Sequence, residues 1–198
     1  MQPPDTRVRA FISIPAPTEA KMALERAKRE LQTALPRAAV RWVAAEQMHL
    51  TMKFLGDIET DQIGPLTGAL RAACGGCPVL ELCASGLCCF PDLRFPRVLC
   101  AAVEDPHREL KRLHSAICTA VSPFVSPEPD KPFTAHITLG RIKRISKPEV
   151  RIVSSIVSRM ATSMFGGWTA RSIELMRSEL SAQGPTHTCL AQISLQEE

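Results

Sequence analysis

Two short stretches could do chemistry together: His49-Leu50-Thr51-Met52 and His136-Ile137-Thr138-Leu139. Both read His-x-Thr-x with an apolar residue at each x. Each falls in a run of strand-forming residues, His49 to Leu55 and Ala135 to Ile142. Side chains on a strand alternate faces with period two. His49 and Thr51 therefore share one face, with Leu50 and Met52 on the core side. His136 and Thr138 stand in the same relation to Ile137 and Leu139. If the two strands meet, two imidazoles and two hydroxyls converge on one cleft. An unperturbed imidazole titrates at about 6.5, so such a pair suits general acid–base work near neutral pH. A lone histidine on a half-buried strand is usually structural. Here the pattern recurs once in each half of a chain with only five histidines.

The elements around the motifs can be read in order. Val8 to Ile14 alternates as a strand, with Val8, Ala10, Ile12 and Ile14 on one face. Pro15-Ala16-Pro17 ends it, Thr18 reads as an N-cap, and Glu19 to Leu35 runs helical until Pro36. Ala39 to Val43 is a short strand before the first motif, which Gly56-Asp57 closes. Thr60 caps a helix over Asp61 to Cys74, closed by Gly75-Gly76. Val79 to Phe90 reads as strand with a break at Ser85-Gly86. Pro91 to Pro96 is a loop carrying Arg94, and Arg97 to Val103 is strand. Asp105-Pro106 opens a helix over His107 to Val121, with His107 and His114 read as surface residues. Ser122 to Pro132 is a Pro-rich loop. After the second motif, Pro148 starts a helix to about Met160. One strand follows over Trp168 to Leu180, Gly184-Pro185 makes a hairpin turn, and Thr188 to Leu195 is the last strand. Each half thus has helices and one His-x-Thr strand. The expected fold is α+β and bilobal: two pseudo-symmetric, antiparallel-rich sheets backed by helices around a central cleft. No linker is long enough to separate domains, so residues 1–198 are one unit.

Composition narrows the function. Of 198 residues, 45% are apolar and 22% charged, a globular balance with no apolar run long enough for a membrane span. The first residues are polar and Pro-rich, so the sequence reads as soluble and cytoplasmic, without a signal peptide. A net charge of +4 fits an anionic substrate. Tyrosine is absent and aromatics are 5%, which disfavours a broad base-stacking platform. Eight cysteines without a secretory signal read as free thiols packed as small apolar residues. Cys74-Gly-Gly-Cys77 could be half of a zinc site completed by Cys83, Cys88 or Cys89, but no second Cys-x-x-Cys follows. No carboxylate cluster accompanies the histidines, which argues against a metal mechanism.

Trp42-Val43 followed by His49-Leu-Thr-Met-Lys-Phe-Leu-Gly56 resembles the first signature of the 2H phosphoesterases, and within them the RNA 2',3'-cyclic phosphodiesterases, also called 2'-5' RNA ligases. Arg7 to Pro15 is similar to that family's opening strand, and Phe90-Pro91 with Pro96-Arg97-Val98-Leu99 to its middle segment. Pro132-Phe-Thr-Ala-His136-Ile-Thr-Leu-Gly-Arg141 resembles its second signature, and Ser178-Glu-Leu180 with Gly184-Pro185 its C-terminal hairpin. Two departures stand beside the motifs: His187 where tyrosine is expected, and Ala135 where proline often precedes the second motif. They bear on substrate preference more than on the chemistry.

The resemblance implies a bilobal fold with the motifs facing across a cleft. It implies hydrolysis of an RNA or nucleoside 2',3'-cyclic phosphate to a 2'-phosphate, with no metal and no cofactor. His49 would be the general acid on the departing 3'-oxygen and His136 the general base on water. Thr51, Thr138 and Arg141 would bind the phosphate. Strict alternation points Arg141 at the core, so a bulge at Gly140 is needed to re-aim it. The implied partners are RNA or oligonucleotide ends carrying a cyclic phosphate, with no membrane and a monomeric protein. Reversal of the reaction would join such an end to a 5'-hydroxyl. The rival readings are a phosphodiesterase for a smaller cyclic phosphate, such as an ADP-ribose derivative, and a non-catalytic nucleotide- or RNA-binding protein. Pure binding would not require both imidazoles.

Overall fold

The computed structural model describes residues 6–126, 132–181 and 184–196. Among them are nine strands and four α-helices: β1 (Arg7–Pro15), α1 (Thr18–Ala34), β2 (Val40–Trp42), β3 (His49–Glu59), α2 (Ile63–Cys74), β4 (Leu80–Phe90), β5 (Val98–Glu104), α3 (Glu109–Val121), β6 (His136–Ile142), α4 (Lys147–Arg159), β7 (Met164–Ala170), β8 (Ser172–Ser181) and β9 (Gly184–Ser194). Single 3-10 turns precede β3 and α2. None of these helices is long and apolar enough to cross a membrane.

The strands lie in the order β7-β4-β5-β6-β3-β1-β8-β9, with β2 added on β6, and the ladders between them are antiparallel. The two expected sheets are therefore one. Its halves, β6-β5-β4-β7 and β3-β1-β8-β9, join at the centre through the pair Leu50↔Ile137. Helices back each half, and not in sequence order. α2 and α3 pack on each other and reach β9 and β3, whereas α1 and α4 reach β7 and β4. The helix following β1 thus covers the far half of the sheet, which ties the halves together.

Local chemistry explains the elements. On α1 the stripe Ala20, Leu24, Ala27 and Leu31 is buried at helical spacing. Ser146 and Glu149 form a reciprocal capping box at the start of α4, with Pro148 in the first turn. On β1 the alternation is incomplete: Phe11 and Ser13 are as buried as Ile12 and Ile14. Both faces of this strand are covered, one by core and one by the rings described below.

Several boundaries differ from the sequence reading. Thr18 is the first residue of α1, and no side chain caps the helix at Pro17. β3 continues through Gly56, whose φ of +70° lets the backbone bulge while Arg7 and Val8 keep pairing with Glu59 and Ile58. β4 likewise runs unbroken through Gly86, where a Cβ would sit 2.3 Å from Ala161 O. α3 starts at Glu109, because Arg108 is left-handed and Asp105 accepts bonds from the backbone of His107 and Leu110. Of the two histidines read as surface residues, His107 is exposed. His114 is half-buried and stacks on Phe133 at 4.0 Å. The stretch read as one strand over Trp168 to Leu180 divides into β7 and β8, which lie at separate places in the sheet. Gly184 and Pro185 are paired residues of β9 rather than the hairpin turn, whose connection at 182–183 lies outside the described residues. Part of the loop expected over Ser122 to Pro132, residues 127–131, also lies outside them.

Candidate active site

The site rests on the Leu50↔Ile137 pair at the centre of the sheet. In an antiparallel ladder, one step along β3 is one step back along β6. Extended by one residue each way, that register brings His49 towards Thr138 and Thr51 towards His136. Leu50, Met52, Ile137 and Leu139 are fully buried on the other face, while the two histidines and two threonines are half-buried. Burial of each of these large apolar side chains contributes about 1.5–3 kcal/mol, so slipping either strand by one residue would forfeit all four. The core thereby fixes which face the quartet occupies.

Each histidine is held in the same way. His49 Nδ1 lies 2.7 Å from Gln47 O, and His136 Nδ1 lies 2.7 Å from Thr134 O. A carbonyl oxygen only accepts, so both Nδ1 atoms carry hydrogen and donate. Nε2 is then the ring nitrogen left to face other partners. Gln47 is itself anchored through Nε2 to Pro185 O on β9. Upstream, the buried Lys28 donates to Val43 O at 2.7 Å and pairs with Glu25, fixing the segment that enters the first motif.

Rings enclose the imidazoles. Phe11 stacks on His49 at 4.9 Å and 22°, and His187 meets His49 edge-on at 5.4 Å. Phe90 meets His136 edge-on at 4.9 Å. Burial, foremost, drives the His49 pKa down to about 4; the charges of His187, Lys21 and His136 push the same way, and the bond to Gln47 opposes them. Burial also lowers His187. Glu174 on β8 pairs with Ser13, which pairs with Thr51, and burial raises its carboxyl above the ordinary range against the pull of Lys21.

The threonine hydroxyls make no hydrogen bond among the described residues, which leaves them available to a ligand. Arg141 is exposed. Register on β5 passes from Leu99↔Gly140 to Cys100↔Thr138, so Leu139 is the extra residue of a bulge. A bulge is therefore present, one residue before Gly140. Gly140 has its own role: a Cβ there would lie 2.8 Å from Val40 Cγ1 and 2.9 Å from Trp42 Cε3.

The sequence reading missed Phe11, Phe90 and Glu174 as neighbours of the site and noted His187 only as a departure. Phe11 had one detectable signal, an aromatic residue on the nominally polar side of an alternating strand. The eight cysteines are all unbonded, and among the described residues no three His, Cys, Asp or Glu side chains gather as a metal set. Cys83, Cys88 and Cys89 belong to β4, apart from Cys74 at the end of α2.

A nine-stranded antiparallel sheet with paired His-x-Thr strands at its centre defines a class of two-histidine phosphoesterase folds, and comparison with known proteins agrees. The model of the LigT-like phosphoesterases matches twice, over residues 14–100 and 102–187, so that each match contains one His-x-Thr strand. The chain belongs to the LigT-like phosphoesterase family. It is 30% identical over 200 residues to an RNA 2',3'-cyclic phosphodiesterase of Thermus thermophilus, covering 96% of this chain and 92% of that one. It is 26% identical over 182 residues to a protein of the same description from Methanothermobacter thermautotrophicus, covering 92% and 96%. Among solved structures, TT0787 of Thermus thermophilus superposes with a TM-score of 0.77 at 27% identity, over 96% of this chain and 99% of that one. Escherichia coli LigT complexed with 3'-AMP shares the fold, with a TM-score of 0.74 at 22% identity over 96% and 99%.

Proposed function

We propose that this protein hydrolyses 2',3'-cyclic phosphates at RNA or nucleoside ends to 2'-phosphates. The observation that carries the reading is the register through Leu50↔Ile137, which sets His49, Thr51, His136 and Thr138 on one face. The relatives described as RNA 2',3'-cyclic phosphodiesterases support the choice of substrate.

The phosphoryl group sits between the two strands and accepts hydrogen bonds from the Thr51 and Thr138 hydroxyls. Arg141 adds a charge-assisted bond at its edge. His136 Nε2 takes a proton from the attacking water, and protonated His49 Nε2 delivers one to the departing 3'-oxygen. The Nδ1 bonds to Gln47 O and Thr134 O support Nε2 as the working nitrogen of each ring; the direction of the two transfers follows the family resemblance. Burial keeps His49 unprotonated near neutral pH, which is the wrong state for an acid. The phosphate's negative charge supplies what is missing, because an anion beside an imidazole favours its charged form. Substrate binding thus arms the acid. The same chemistry in reverse joins a cyclic end to a 5'-hydroxyl.

The test is incubation with an oligonucleotide ending in a 2',3'-cyclic phosphate, in the presence of a strong chelator, with the product phosphate identified. Conversion to a 2'-phosphate is expected. No conversion, conversion to a 3'-phosphate, or activity that returns only with added metal would refute the proposal.

A further inference from the structure

Beside the second motif lies a pair of thiols that the reaction does not use. Cys88 and Cys100 are directly opposed on β4 and β5, and their Sγ atoms are 2.7 Å apart. Directly opposed residues of an antiparallel ladder have Cα atoms about 4.5–5.5 Å apart, inside the range a disulfide spans. The backbone is therefore already placed for a bond. Cys88 is half-buried and open to a small molecule, whereas Cys100 is 1% exposed. The two thiols share a hydrogen bond in which either sulfur can be the donor; it holds the Cys88 thiol below its ordinary value and, with burial, raises Cys100. The difference in exposure divides the pair into an attacking sulfur, Cys88, and a resolving one, Cys100.

The same two residues border the site. Cys100 pairs with Thr138 on its other side, at the Leu139 bulge, and Ala102 pairs with His136. Phe90 follows Cys88 by two residues, shares its face, and packs edge-on against His136.

We propose that Cys88 and Cys100 are a redox-active dithiol that closes to a disulfide and thereby slows the adjacent active site. The oxidant is a small-molecule disulfide of the glutathione type. The Cys88 thiolate attacks one of its sulfurs, breaking that S–S bond and releasing one thiol. Cys100 then loses its proton and attacks Cys88 Sγ, releasing the second thiol. Two protein thiols and one small disulfide become one protein disulfide and two small thiols, with two electrons passing to the reagent. Bonding closes the Sγ–Sγ gap from 2.7 Å to about 2.05 Å and so shifts the two side chains beside Phe90 and Thr138. A misplacement of about 1 Å in groups that position a reaction costs about a hundredfold in rate, and a smaller shift costs less.

The slowing rests on the phosphodiesterase reading; the cross-link does not. The test treats the full chain with oxidised glutathione, maps its disulfides by peptide mass, and measures cyclic-phosphate turnover before and after. A Cys88–Cys100 link is expected, with turnover down about tenfold and restored by dithiothreitol. Cys88→Ala, or Cys88→Ser if the first folds poorly, should lose the response to oxidant. No link, a link between other cysteines, a Cys88–Cys100 link with unchanged turnover, or an equal response in the Cys88 variants would each overturn the proposal. If the reduced protein opens no cyclic phosphate, the functional reading fails, and the dithiol is judged on the disulfide map alone.

Discussion

Filling the site with a 2'-nucleotide, the product of the proposed reaction, should change the protonation of His49 more than that of any other group. Burial holds His49 at about 4, so at pH 5.5 only about 3% of the rings carry a proton. A phosphate between the strands supplies the negative charge that burial withheld. If it only restores the ordinary imidazole value of about 6.5, about 90% of His49 is protonated at the same pH. Almost one full proton is gained per site. The assay follows the His49 Cε1–H resonance against pH in free and ligand-saturated protein, with His49→Gln to assign the signal. Reading the ring itself keeps the ligand's own titration out of the result. A free-protein midpoint well below 5, moving above 6 with ligand, is expected. A midpoint near 6.5 without ligand would show that Phe11 and His187 do not keep water from the ring. A low midpoint that ignores the ligand would mean the phosphate binds elsewhere, and His49 could not then be the acid.

The depressed histidine also affects stability. Between about pH 6.5 and 4 the unfolded chain binds the proton that folded His49 refuses, so stability should fall on acidification through that window. Denaturant midpoints should show a shallower fall in His49→Gln, and identical slopes would refute the assignment. Thr51→Ala and Thr138→Ala should each slow turnover by about one to two decades with melting temperature little changed, as expected for lost phosphate donors; wild-type rates in both would remove the hydroxyls from the site. Gly140→Ala should destabilise by about 1–3 kcal/mol in urea titration, because its methyl would press on Val40 and Trp42, and a neutral effect would show that β2 yields freely.

The quartet was legible in sequence because period-two alternation is local. Leu50, Met52, Ile137 and Leu139 announce one face, and the residues between them must take the other. The Arg141 anomaly was also legible, since parity demanded a bulge somewhere near Gly140. The neighbours were not legible. Phe11, Phe90 and His187 reach the histidines from β1, β4 and β9, and only long-range register brings those strands together. The merging of two expected sheets depends on the pair Leu50↔Ile137, a contact between residues 87 apart that no local pattern records. The helix assignment is similar: the apolar stripe of α1 says that it packs, and its contact with β7 says on what. The division of β7 from β8 was hidden because Trp168 to Leu180 continues to look like strand across the corner near Arg171.

The central claim is that His49 and His136 move the two protons of cyclic-phosphate opening. The most direct measurement compares His49→Ala and His136→Ala on two substrates, one with an ordinary 3'-oxygen leaving group and one whose leaving group is activated and departs without a proton. On the ordinary substrate both variants should lose about two to four decades of rate. On the activated one, His49→Ala should recover most of its loss and His136→Ala should recover none. Recovery in His136→Ala alone would reverse the two roles. Wild-type rates in either variant on the ordinary substrate would contradict the two-histidine mechanism itself.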